Sequence, residues 1–181
     1  MSDRVPLSDV AAYARRVEAL GYDTLHVPET VHDSLAGALL ALQATSRITV
    51  RTSVTLAFVR SPMLVALSAW DLAGISGGRF ELGLGSQIRA NIEDRYGMPW
   101  SEPVARMREF IQAVHAAWAA FRSGTAPAYE GEHYRLTRLQ SFFIPEPIAV
   151  DDPPIWLGGV NTGMVELAGE HTQGLITHPT N

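Results

Sequence analysis

Apolar positions along this chain follow two alternating rhythms, one of period near 3.6 and one of short β-branched runs. Between Leu7 and Leu20, the residues Val10, Ala11, Ala14, Val17 and Leu20 fall on one helical stripe, and Gly21 supplies its stop. Tyr22 to Val27 reads as a short strand running into Pro28, Glu29 and Thr30, with His32 and Asp33 just beyond. Asp33 or Ser34 is placed to cap a second helix, whose Leu35, Leu39, Leu40 and Leu42 are expected to face inward. A β-branched strand from Ile48 to Thr55 follows. Ser61 as cap and Pro62 at the first helical position then open a helix carrying Met63, Leu64, Leu67, Trp70 and Leu72. Phe80 to Leu84 is the next strand and dissolves into Gly85 and Ser86. After a polar loop from Gln87 to Trp100, Ser101 is expected to cap the clearest amphipathic helix, with Met107, Phe110, Ile111, Val114, Trp118 and Phe121 on one stripe. Residues 124–154 form an excursion with a hairpin near Glu130 and Gly131, a length that predicts a lid or an interface. Ile155 to Leu157, a helix capped by Asn161 or Thr162, and a last strand from Gly174 close the pattern.

Strands alternating with helices imply a parallel α/β sheet with its active face at the carboxyl ends of the strands. About five strands are expected, near residues 22–28, 48–55, 79–84, 155–158 and 174–178. A closed (β/α)8 barrel needs eight. The pattern opens on a helix and closes on a strand, so residues 1–181 are expected to form one incomplete barrel domain. Such a sheet has two unpaired edges, which predicts a homo-oligomer that covers them.

Composition narrows the chemistry by exclusion. The net charge of −5 provides no basic footprint for nucleic acid. No apolar run approaches the roughly 20 residues of a membrane helix, and a cytoplasmic protein is expected. There is no cysteine, hence no thiolate nucleophile or thiolate metal site, and all 14 basic residues are arginine, which removes a lysine Schiff base. No histidine pair stands at metal-ligand spacing beside a carboxylate, so no metal is expected.

Several runs, in order, resemble one family. Ala14 to Asp23 is similar to the first helix and second strand of the bacterial luciferase-like flavin monooxygenases. Thr52-Ser53-Val54-Thr55 followed by Arg60-Ser61-Pro62 resembles their third strand and next helix, and Ser76-Gly77-Gly78-Arg79 through Gly85 their fourth strand. Met98-Pro99-Trp100, Tyr134-Arg135-Leu136 and Ile155-Trp156-Leu157-Gly158-Gly159 resemble the branch of oxidoreductases dependent on the deazaflavin coenzyme F420.

That resemblance implies hydride transfer between F420 and a small organic substrate, with an FMN-dependent monooxygenase or a non-catalytic scaffold as alternatives. It also implies a cofactor site made of strand ends. A non-proline cis peptide is expected at Ser53-Val54, supporting the ring, with Thr55 at its border. Gly83, Gly85 and Ser86 would let the ring lie against backbone. Gly158, Gly159 and Val160 open a helix whose free N–H groups suit a phosphate. His178 is expected to touch the cofactor. Glu29 and His32 are the acid–base candidates, although relatives place such a pair adjacently and here two residues separate them.

Overall fold

The computed structural model describes residues 1, 2 and 4–178. Its strands are β1 (Thr24–Val27), β2 (Thr49–Thr52), β3 (Thr55–Leu56), β4 (Phe80–Gly85), the hairpin pair β5 (Tyr129–Glu130) and β6 (Arg135–Leu136), β7 (Ile155–Gly158) and β8 (Gly174–Ile176). The helices are α1 (Val10–Ala19), α2 (Ser34–Ala44), α3 (Pro62–Ser76), α4 (Pro103–Ser123) and α5 (Thr162–His171). The main sheet runs β1-β2-β4-β7-β8 with β3 also on β4, and all its pairings are parallel. The molecule is therefore a curled half-barrel with helices outside, an incomplete (β/α)8 barrel. No helix among the described residues is long and apolar enough to cross a membrane.

Strands β1, β2 and β7 bury alternate residues against the helices, and β4 adds Phe80, Leu82 and Leu84. Leu25, Val27, Val50, Phe80, Leu82, Leu84, Ile155 and Leu157 form that layer and meet Val65, Ala69, Phe110, Val114, Trp118 and Leu167 in the core. All six apolar positions on the α4 stripe are buried. On the opposite, concave face, Arg51 pairs with Glu81 and stacks 3.5 Å above the Trp156 ring. His26 stands on the same face of β1, and burial, with Arg51 nearby, holds its imidazole below the ordinary 6.5.

Four expectations need correction. In α2 the buried residues are Ser34, Gly37, Ala38, Ala41 and Leu42, while Leu39 is exposed, because the helix lies close enough to the sheet that Gly37 meets the Val27 side chain. Ser101 does not cap α4; Glu102 holds that position at φ +34° without a side-chain bond, and Pro103 opens the helix. The run from Ile48 to Thr55 is two strands rather than one. Finally, residues 124–154 include a strap over the outer helices. Trp70 Nε1 donates to Glu146 O at 3.0 Å, Ile148 lies over Gly74, and Arg122 donates to Val150 O at 2.7 Å. This part of the excursion packs as framework because α3 presents a glycine, Gly74, where Ile148 crosses.

Two polar devices fix the lower rim. Arg79 donates to the carbonyls of Leu42, Thr45, Ile48 and Ser76 and to Thr45 Oγ1, joining the ends of α2 and α3 to the start of β2. The Glu18 carboxylate accepts the N–H groups of Ser46, Arg47 and Ile48 at 2.7–3.0 Å, which lowers its pKa from 4.5 to about 2. Arg79→Lys loses the planar fork and is expected to cost about 2–3 kcal/mol in urea unfolding. A depressed carboxylate pKa contributes stability above its unfolded value, and that contribution falls away as pH drops through the folded value. Glu18→Gln should therefore be less stable than wild type at pH 7, with the gap closing between pH 4.5 and about 2 in denaturant titrations.

Candidate functional site

The site begins where the second β run breaks. Val50 pairs with Phe80, an offset of 30, and Thr55 pairs with Leu84, an offset of 29, so one residue is extra between β2 and β3. That is a bulge, a device that re-aims side chains at sheet ends. The Ser53-Val54 peptide within it is cis. Buried threonines pin both flanks. Thr52 Oγ1 donates to Gly83 O and accepts from Gly83 N, each at 2.9 Å, so a side chain replaces the ladder across the break. Thr55 Oγ1 bonds Ser34 Oγ at 2.9 Å.

The bulge turns Val54 toward the ends of β4 and β7. Its isopropyl group occupies the space that a Cβ on Gly85 would need, and lies 3.0 Å from where a Cβ on Gly158 would stand. Gly159 likewise has no room for a side chain beside Met164 Cβ. These glycines serve protein packing first, and as a consequence the surface they leave is bare backbone.

That surface lines an open cavity of about 440 Å3, within the range of small-molecule sites. Ser53, Val54, Gly85, Ser86, Gly158, Gly159, Val160 and His178 all border it, brought together from four segments of the chain. Gln87, Ile88, Asn161, Met164, Ile176 and Thr177 complete it. Gln87 holds φ +61° and its side-chain oxygen accepts from Ile88 N at 2.9 Å, so the chain turns sharply after β4. Asn161 caps α5 through Met164 N at 3.0 Å, and Gly159 N donates to Ile176 O at 3.1 Å. The remaining first-turn N–H groups of α5 face an anion-compatible helix end. Among the described residues that line it, His178 alone carries an ionisable side chain, so no carboxylate or arginine faces the cavity. Ile88 and Val160, each over 60% exposed, give it an apolar rim.

The other expected residues lie elsewhere. Gly83 is buried inside the sheet, where a Cβ would collide with Thr52 O. Thr55 is fully buried behind the cavity wall. The Glu29 side chain is 6% exposed and bound to Arg60 at 2.7 Å. His32 lines a separate small hollow with Val5, Leu7 and Gly37. Among the described residues no cluster of His, Asp and Glu could hold a metal ion. The cavity residues that sequence reasoning missed divide into two kinds. Ile176 was accessible from the period-2 alternation of the last strand, whereas Gln87 and Ile88 read only as polar loop, because nothing local announces the turn at Gln87. A larger groove of about 990 Å3 lies on the outer surfaces of α2 and α3, lined by Leu35, Leu39, Leu72 and Ile75. It is remote from the strand ends and offers two carboxylates, Asp71 and Glu146, with no histidine or arginine beside them, so the chemistry is assigned to the smaller cavity.

Comparison with known proteins agrees with the parallel half-barrel fold. Residues 1–181 match the family described as luciferase-like monooxygenase. An uncharacterized protein of Mycobacterium tuberculosis is 41% identical over 173 residues, covering 96% of this chain and 51% of that protein. A putative coenzyme F420-dependent oxidoreductase of Mycobacterium tuberculosis is 32% identical, covering 94% of this chain and 51% of the relative. Among solved structures, an F420-dependent secondary alcohol dehydrogenase in complex with an F420-acetone adduct superposes with a TM-score of 0.79 at 22% identity, over 96% of this chain and 55% of that one. The chain spans about half the length of the curated relatives it matches.

The wedge of Val54 between glycines makes a prediction about coupling. Gly85→Ala alone should destabilise, since its Cβ would overlap the Val54 side chain. In a Val54→Ala background that penalty is expected to shrink by about 1 kcal/mol or more in a double-mutant cycle; equal penalties in both backgrounds would contradict the packing described.

Proposed function

Because the chain belongs to the luciferase-like monooxygenase family, we propose that its strand-end cavity holds a flavin-type ring, coenzyme F420 in preference to FMN, and that the protein is an oxidoreductase acting on an organic substrate. The observation that carries the reading is the convergence of Ser53, Val54, Gly85, Ser86, Gly158 and Gly159 on one backbone-lined cavity. The likeness to a relative named for F420 supports the deazaflavin. The family's description as monooxygenases favours FMN as the second reading.

The cradle suits a flat ring. Val54 supplies an apolar wall, and the glycine backbones let a planar group approach without meeting side chains. Bound F420 would supply a carbon centre that gives or takes a hydride. The backbone of Val160 and the first turn of α5 would hold a phosphate, with Asn161 already fixing the helix end. His178 is assigned the proton-transfer role at an imidazole nitrogen, since it borders the cavity while His32 does not. Ile88 and Val160 would meet the substrate and shed water. The outer edges of β1 and β8, which pair with no further strand among the described residues, are assigned to a second copy of the chain, which would enclose the open side of the half-barrel. With no membrane-spanning helix among the described residues, a cytoplasmic setting fits this role.

Fluorescence titration with F420 and with FMN tests the assignment. Saturable F420 binding with no oxygen consumption by the reduced complex is the expected result. Preferential FMN binding with oxygen uptake would transfer the protein to the monooxygenase reading. Failure to bind either would leave a scaffold.

A further inference from the structure

We propose that Glu29 is a positioning residue that, through Ser34 and Thr55, sets where Val54 stands in the wall of the strand-end cavity. The Glu29 side chain is 6% exposed, is paired with Arg60, and does not line the strand-end cavity. Its Oε1 accepts from Arg60 at 2.7 Å, and its Oε2 accepts from Ser34 Oγ at 2.7 Å and from Leu56 N at 3.4 Å. Arg60 in turn donates to Leu56 O at 3.2 Å and to Asp33 at 2.7 Å.

The ion pair takes the place of a strand. β3 pairs on one side with β4, and Leu56 directs both its N–H and its carbonyl to Glu29 and Arg60. An acceptor-only carboxylate and a donor-only guanidinium supply the two halves of a missing ladder rung. The same carboxylate gives the hydroxyl chain a direction. Ser34 has one proton and donates it to Glu29, so the bond between Ser34 and Thr55 must be donated by Thr55. Ser34 and Thr55 are both fully buried, where an unpaired hydroxyl is costly. Residues 55 and 56 are thereby held at three polar points immediately after Val54. Val54 in turn contacts both Gly85 and Gly158. Arg60 remains charged in this setting: burial lowers its pKa, but Glu29 and Asp33 outweigh that and raise it.

The test uses the whole chain with Thr55→Val, Thr55→Ser and Glu29→Gln, read by cofactor titration, thermal midpoint and amide exchange of residues 53–56. Thr55→Val keeps the shape and removes the hydroxyl, and Glu29→Gln keeps the shape and removes the charge. Each is expected to weaken F420 or FMN binding about tenfold and to speed exchange at Leu56 by a similar factor. Thr55→Ser should restore wild-type affinity within about twofold. The double variant Thr55→Val/Glu29→Gln should lose little beyond the worse single change, because the residues act in one chain. A lowered midpoint with affinity and local exchange unchanged would reduce the network to plain stabilisation and overturn the proposal. The affinity arm rests on the ring-site reading. If the wild-type protein binds neither cofactor, that reading fails by itself, and the exchange of residues 53–56 decides the positioning claim.

Discussion

The contact on which the strand ends depend is a single isopropyl group lodged among glycine backbones. Val54 fills the volume that side chains on Gly85 and Gly158 would require, so three strand ends approach one another more closely than residues with Cβ atoms allow. The extra residue between β2 and β3 aims Val54 there. Without that bulge the pleat would continue and successive side chains would keep alternating between the sheet's two faces. The cavity is the space left over once the wedge is seated, which explains why it is lined mainly by backbone and short side chains.

Close approach also governs the outer layer. Gly37 admits Val27 to the underside of α2, and Gly74 admits Ile148 where the strap crosses α3. Small residues thus occupy the contact lines, while larger apolar residues such as Leu39, Leu64 and Ile75 remain on outer faces. Arg79 then gathers five acceptors at the lower rim, satisfying carbonyls that the helix ends leave without partners.

Charge is distributed to match. The concave face is polar, with Arg51 between Glu81 and Trp156, and the Trp156 ring is pressed against Gly174. The rim behind the cavity is also ionic, through Glu29, Arg60 and Asp33. Burial raises the Asp33 carboxyl, but Arg60 and the α2 N–H groups outweigh it and hold the group ionised below its ordinary range. Between these two charged zones none of the described residues lining the cavity is a carboxylate or an arginine, a setting in which a bound group is oriented by shape and backbone dipoles rather than by ion pairing.

The chain alone determined its secondary elements and their parallel order, because those follow from periodicity, caps and breakers that act over a few residues: the α4 stripe from Met107 to Phe121, Ser61 and Pro62 opening α3, Asn161 closing the start of α5. It also marked two strand ends, where Gly85 and Gly158 follow Leu84 and Leu157. What it could not express was which of its residues face one another. Glu29 reads in sequence as a free acid after a strand, and only the fold supplies the arginine 31 residues later that occupies it. Gly83 reads like Gly85, yet one lies under Thr52 and the other under Val54. Those distinctions belong to contacts between distant segments, and such contacts exist only after the sheet has curled and its strand ends have met.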